Sequence, residues 1–439
     1  MNFIADNQTL EDLALLGKFN PNSVFSIFNK VKTRGGEKLL DRMFRNPMTD
    51  AASINARSNA FRYYYNNNIL LPVSGELVEK LEAYLDEARG GSYMSNLWTS
   101  MRKKVMASLV KDESYGRIEA GVQHCIQFLQ QSKKLLQELE QLKKKEKAPW
   151  KEWADTLRSI TGHSSLSDMP DGNGQLSLMQ VSKLHHLFGQ TLREAIQQLL
   201  ELTYELDLMV TVADVARARQ FNFAVAEDGD LAVLDVQDLR HPSLKQAVPN
   251  HLHFDTSGNS LFLTGANMAG KSTLMKSAGI AVYLAHMGFP LACSSMRFTV
   301  MDGLYSSVNV PDDLNKGYSH FYAEVLRVKT VAAEVASEKK LFVIFDELFK
   351  GTNVKDAYDA TLAVTAAFAS FRKSFFIIST HIIEVGEELM RSDDSIRFVF
   401  LPTVMQGTVP TYTYTLQKGI TEDRQGMIIL ENEGILEML

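Results

Sequence analysis

Apolar residues recur at three- and four-residue spacing through the first half of the chain, and the pattern changes near residue 220. From Leu10 to about Gln220 the spacing predicts an almost entirely helical region. EDLALL, SIFNKV and EKLLDRMF open it, with Pro21 and Pro47 as punctuation. GELVEKLEAYLDEA continues it after Pro72, with Ser74 placed to cap that helix. Two long helices are predicted, over about Ile118 to Lys147 and Leu184 to Arg219. In the second, Leu192, Ile196, Leu199, Leu206, Met209, Val210 and Ala213 form one apolar stripe, as an antiparallel partner helix requires. Between them TGHSSLSDMPDGNGQ reads as a loop.

From Phe221 onward the period shortens. LAVLDVQDLRHPSL begins with strand-like alternation, and SLFLTG, LFVIFDE and SFFIISTH are compact β-branched or aromatic runs, each leading into a helical segment. Strands alternating with helices predict an α/β sheet covered on both faces, with its chemistry at the strand C-termini. The expected architecture is therefore α + α/β, a helical region over 1–220 followed by an α/β domain over 221–439. A length of 439 residues agrees with two or three domains.

Composition narrows the class. The formal net charge of -6 excludes a generally basic nucleic-acid coat but leaves room for a local basic stripe. Two cysteines, Cys125 and Cys293, make no disulfide framework and read as reduced cytosolic thiols. The N-terminal sequence has no basic region followed by an apolar one, so no signal peptide is expected. The one membrane-like window, Ser277 to Met296, is broken by Gly288 and Pro290 and reads as a buried helix turning into a strand. A cytoplasmic protein is expected.

The strongest chemical signal is Gly265-Ala266-Asn267-Met268-Ala269-Gly270-Lys271-Ser272, which fits G-x-x-x-x-G-K-[ST]. A strand precedes it, and a helix beginning with Ser272 and Thr273 follows. Such a loop turns backbone N–H groups toward phosphate oxygens at a helix N-terminus. Lys271 would pair the β- and γ-phosphates, and Ser272 would ligate Mg²⁺. LFVIFDE then ends a buried strand in Asp346, an anchor for the metal, and Glu347, which can orient and polarise an attacking water. Ser379-Thr380-His381 ends another buried strand and places a histidine where it can sense the γ-phosphate or orient the attacking water. SSVNVPDDLNKGYSHFYAEVLRVK sets small polar residues before a helix starting near Ser319, an arrangement suited to an anion from the same or another subunit.

The order TGANMAGKST, PDDLNKGYSHFYAEV, IFDELFKGTN and STH resembles the ATPase domain of the MutS family of DNA mismatch-repair proteins, dimeric ABC-class P-loop ATPases. Upstream, NPNSVFSIFNKVKTRGGEKLLDRMFRNPMTDAASINAR resembles the family's core domain, and YELDLMVTVADVARARQF followed by LRHPSL resembles the passage from its lever helices into the ATPase domain. The resemblance implies an ATPase using ATP and Mg²⁺ at a homodimer interface, with DNA as the ligand of the levers and a repair protein as a further partner. It implies that Asn267 meets the terminal phosphate region, that Ser319 reaches the other subunit's nucleotide, and that Glu347 is the general base or water-positioning residue with His381 as its switch partner. It also implies that Asp356 lies near the dimer seam.

Departures shape these expectations. Core-like sequence begins within the first dozen residues, so a form without the family's mismatch-reading and connector domains is expected. Phe349-Lys350 stands where the family has Gly-Arg, Tyr318 and His320 replace the usual polar pair, and Ala247 takes the place of an adenine-stacking aromatic. The Ser-Tyr-Gly step reads Arg424-Gln425-Gly426, and a form without the helix-turn-helix dimerisation tail is expected. Lys143, Lys144, Lys145, Lys147 and Lys151 could meet DNA phosphates at a lever tip, or form a solvated helix end. Action on branched DNA, RNA or ribosomes, or as a nucleotide-switched scaffold, is the alternative.

Overall fold

A chain whose apolar spacing changes once should fold as two bodies, and its contacts divide it that way. The computed structural model describes residues 2–18, 20–88, 114–142, 148–166, 176–229, 231–308, 320–406, 409–421 and 438. One unit comprises Phe28–Arg42 and Ala60–Asp214; the other comprises Met1–Ile27, Met43–Asn59 and Val215–Leu439. Composition alone divides the chain once, near 220. By contacts, two N-terminal stretches group with the second half.

The first unit is helical. Gly75–Glu87, Ser114–Glu140, Lys151–Thr161 and Leu178–His186 pack with parts of Ala51–Asn67 and Arg193–Arg219. Ser74 caps its helix as the sequence predicts, accepting from the Leu77 N–H at 3.2 Å. The predicted stripe is buried at Leu192, Ile196, Leu199, Leu206, Val210 and Ala213, with Met209 packed against it. The expected continuous helix from Leu184 is instead broken by a π-helical turn, Leu187–Thr191. Gly189 there lies so close to Ala88 that a Cβ would fall 2.9 Å from the Ala88 carbonyl oxygen, so a residue without a side chain lets this turn pass. Asp207, fully buried, accepts from Lys32 N, Thr33 N and Thr33 Oγ1 at 2.8–2.9 Å. Those bonds gather the backbone donors at the start of the helix Arg34–Arg45.

The second unit holds fourteen strands among the described residues. These are β1 (Asn222–Phe223), β2 (Val225–Glu227), β3 (Val233–Leu239), β4 (Asn250–Asp255), β5 (Ser260–Gly265), β6 (Pro290–Leu291) and β7 (Ser295–Thr299). They continue with β8 (Gly303–Ser307), β9 (Leu341–Asp346), β10 (Phe375–Ser379), β11 (Ile396–Leu401), β12 (Thr403–Gln406), β13 (Val409–Tyr412) and β14 (Gln417–Lys418). The main sheet runs β14-β11-β5-β10-β9-β8, parallel except for β14. A second sheet runs β2-β7-β3-β4, antiparallel except between β2 and β7. This mixture of a helical unit and a mostly parallel, helix-covered sheet is the α + α/β architecture.

The three runs that read as buried strands are β5, β9 and β10. Every residue of β5 and β10 is buried, as strands covered on both faces must be. The membrane-like window is the inner part of the helix Lys271–His286 running on to β6, buried throughout 277–293. Among the described residues no helix is long and apolar enough to cross a membrane.

The N-terminal stretch closes the outer edge of the main sheet. Ile4 bridges Gly303, donating its N–H to Asp302 O at 2.9 Å and accepting from Leu304 N at 2.8 Å. Asp12 accepts from Val308 N at 2.8 Å and Ser306 Oγ at 3.1 Å. Arg327, buried beneath, is held by Asp6, Thr9 and the Ser306 carbonyl. The exposed donors and acceptors of β8 thus receive partners from the chain itself.

Candidate functional site

Strand register decides which motifs meet. β10 lies between β5 and β9, and Ser379 is level with Leu263 on one side and Asp346 on the other. The three motifs therefore leave the sheet at one edge, the C-terminal edge where parallel α/β sheets bind ligands.

The phosphate-loop sequence leaves β5 at Gly265 (φ 145°) and enters the helix Lys271–His286 through Gly270 (φ 98°). Both angles favour glycine, and a Cβ on Gly265 would lie 3.0 Å from the Leu401 carbonyl oxygen. Ala266 is half-buried, Asn267 and Met268 are exposed, and Ala269 is buried and anchors the turn. Lys271 is buried, its ammonium donating to the Gly265 and Ala266 carbonyls at 2.8 and 3.1 Å. Burial pushes its pKa down, while Asp346 and Glu347 push it back up. Ser272 and Thr273, in the first helical turn, are exposed at the loop mouth.

Ser272 Oγ donates to Asp346 Oδ2 at 2.6 Å. The other carboxylate oxygen, Asp346 Oδ1, is buried with no hydrogen-bond partner. A hydroxyl and a carboxylate with an unsatisfied oxygen form the all-oxygen set that a hard cation such as Mg²⁺ takes, so the residues fit that ion.

Glu347 follows in a left-handed conformation, φ 56°, its N–H donating to the Ser379 carbonyl at 2.9 Å. That turn swings its side chain to His381, whose Nε2 donates to Glu347 Oε1 at 2.5 Å. The hydrogen bond from His381 is the largest influence on this carboxyl and holds it down at about 2, against partial burial that would raise it. Lys350 adds a cation 3.6 Å from Oε2. A carboxylate kept ionised beside a histidine can orient a water and accept its proton. Asp356 sits in the first turn of Val354–Ala369, where Asn353 accepts from its N–H at 3.0 Å.

Beside the loop lies a cavity of about 320 Å³ bounded by His241, Leu244, Ala247, Met268, Leu401 and Tyr414. Ala247 does border it, but the aromatic face comes from Tyr414, which sequence reading missed. Tyr414 packs against Gly270, and Asn250 fixes its backbone by donating to the Tyr414 carbonyl at 2.9 Å and accepting from Leu416 N at 2.7 Å. The only trace in the sequence is the alternation TYTYT, far from every motif.

The helix predicted near Ser319 is present as His320–Ala336. Ser319 itself, Tyr318, Lys143, Lys144, Lys145, Lys147, the Arg424-Gln425-Gly426 step and most of the 161–175 loop lie outside the described residues, as does the His320 side chain.

Comparison with known proteins agrees with the motif order. Residues 261–437 match the family model for MutS domain V. The chain is 27% identical over 231 residues to the DNA mismatch repair protein MutS of Fusobacterium nucleatum, covering 49% of this chain and 25% of that protein. It is 30% identical over 202 residues to the protein of that name from Staphylococcus epidermidis, covering 45% and 23%. For Staphylococcus carnosus the figures are 31% over 198 residues, 44% and 22%. The matched stretch thus spans about a quarter of each relative's length. With motifs in that order, on the strands that carry them, residues 261–437 form a MutS domain V, and the chain is similar to MutS proteins over just under half of its length.

Proposed function

We propose that the α/β unit is an ABC-type P-loop ATPase domain that binds ATP with Mg²⁺ and hydrolyses it at an interface between two copies of the chain. The observation that carries this reading is the convergence at one sheet edge. Ser272 meets Asp346 at the phosphate loop, and Glu347 meets His381 one residue further on.

In this reading the amides of Asn267 to Thr273 and the helix N-terminus surround the phosphates, and Lys271 moves from its loop carbonyls to the β- and γ-phosphate oxygens. Ser272 and Asp346 would hold Mg²⁺, which when bound supplies charge neutralisation at the phosphate oxygens. Glu347 orients the attacking water and takes its proton, and His381 keeps that carboxylate ionised and aimed. Tyr414 stacks on the base in the adjoining cavity. Ser319 approaches the γ-phosphate of the other copy, so nucleotide binding favours closure and hydrolysis favours release. The helical region over 1–220 supplies levers that follow this cycle, and DNA is their ligand, in keeping with the names of the relatives.

Two variants test the ATPase. Lys271→Ala should abolish ATP binding, whereas Glu347→Ala should bind ATP and turn it over at least about 100-fold more slowly. Unchanged turnover in the Glu347 variant overturns its assigned role. A salt titration on homoduplex, mismatched and branched DNA tests the ligand: affinity should fall linearly on a log–log plot and respond to ATP. Absence of ATP-modulated binding to all three removes DNA from the reading.

A further inference from the structure

Away from the phosphate loop, the antiparallel sheet gathers three metal-ligating side chains. Asp235 lies on β3, and His251 and His253 alternate along β4, so both imidazoles project on one face, with His253 directly opposite Asp235. Asp235 Oδ1 lies 2.8 Å from His251 Nε2 and 3.2 Å from His253 Nδ1, and the three donor atoms lie within 4.8 Å of one another. Gln237 Nε2 lies 2.9 Å from His251 Nε2 and 3.3 Å from Asp235 Oδ1.

The surroundings orient this group as supporting residues orient metal ligands. His253 Nε2 lies 3.0 Å from Asp255 Oδ2, and Arg397 donates to that same oxygen at 2.9 Å. Ser257 and Gly258 donate to Asp255 Oδ1. A carboxylate so held takes an N–H from Nε2 and fixes the tautomer that turns the Nδ1 lone pair toward Asp235. Two lone pairs then face each other at 3.2 Å, which a cation between them resolves. Metal bonds of about 2.0–2.1 Å at tetrahedral angles set donors about 3.4 Å apart, against 2.8 and 3.2 Å from Asp235 to the two imidazoles, with the three donor atoms inside 4.8 Å of one another.

We propose that Asp235, His251 and His253 form a binding site for a borderline divalent metal of the Zn²⁺ class, pinning β3 to β4. Two imidazoles and one carboxylate select such an ion over Mg²⁺, which prefers oxygen. His251 is half exposed, so a fourth position is open to water. The competing arrangement is a doubly protonated His253 bridging Asp235 and Asp255 without metal.

The probe is Co²⁺, titrated into the chelator-treated, untagged chain of residues 1–439 in excess Mg²⁺, then displaced by Zn²⁺. One equivalent should bind with the intense visible bands of four-coordinate Co²⁺, and Zn²⁺ should abolish them. His251→Ala, and separately the shape-preserving Asp235→Asn, should each weaken binding at least tenfold. Asp255→Asn, which leaves the three proposed ligands in place but alters the group that orients His253, should weaken it about 10- to 100-fold. Lack of four-coordinate bands, or unchanged affinity in both His251→Ala and Asp235→Asn, overturns the proposal.

Discussion

Glu347 and His381 are 34 positions apart and behave as one group. Because His381 holds the Glu347 carboxyl at about 2, below its ordinary value near 4.5, the folded state favours the carboxylate. The resulting stabilisation is complete above about pH 4.5 and is lost as pH falls toward 2. His381→Asn should let the carboxyl titrate closer to its ordinary value. The acid limb of ATP turnover should then move to higher pH, and a pH–rate profile checks the direction. Tyr414 makes a separate prediction. If it stacks on the base, Tyr414→Ala should weaken nucleotide binding by about 1–3 kcal/mol, roughly 5- to 150-fold, read by calorimetry. Unchanged affinity would leave the cavity without a role. The phosphate loop was legible because its chemistry needs contiguous residues. Tyr414 was not, because a residue that joins a site through tertiary packing leaves no local spacing.

Single elements show the same contrast. The strands β5, β9 and β10 announce themselves as unbroken apolar runs because both faces are covered. The antiparallel sheet is harder to read, since its residues alternate and its partners are fixed only by register. Asp235 and His253 became neighbours that way, with just the H-x-H alternation of β4 as a hint. Asp207 illustrates what an element boundary can hide. It gathers three donors from Lys32 and Thr33, some 174 positions earlier. Asp207→Ala would leave those donors, the two of Thr33 buried, without their acceptor and should cost about 3 kcal/mol, lowering the urea midpoint of the helical unit. Asp207→Asn, which keeps an acceptor, should cost less. At the sheet edge, Asp12→Ala should cost about 1–3 kcal/mol by freeing Val308 N and Ser306 Oγ. Amide exchange along β8 should rise with it.

For the whole chain, the functional reading makes ATP a ligand of the closed pair, so association should depend on nucleotide. The Glu347→Gln variant, able to bind but slow to hydrolyse, should accumulate as a dimer in ATP and Mg²⁺ by light scattering, and Lys271→Ala should not. A Glu347→Gln chain that stays monomeric at all concentrations would contradict closure. Sequence pattern gave the two fold classes but not the way the chain is shared between them, because Met1–Ile27 carries the same helical spacing whichever unit it joins. That sharing has a consequence for how the protein is made. Asp6, besides capping its own helix through Thr9, and Asp12 each bond residues about 300 positions later, in Arg327, Ser306 and Val308. The helical unit lies between, and all of it has emerged from the ribosome before β5 is synthesised. The early segment must therefore wait for these distant contacts while an entire unit folds. Its return is a long loop closure that comes late, and nascent chains stalled before residue 308 should hold that segment open to protease while the helical unit is already protected.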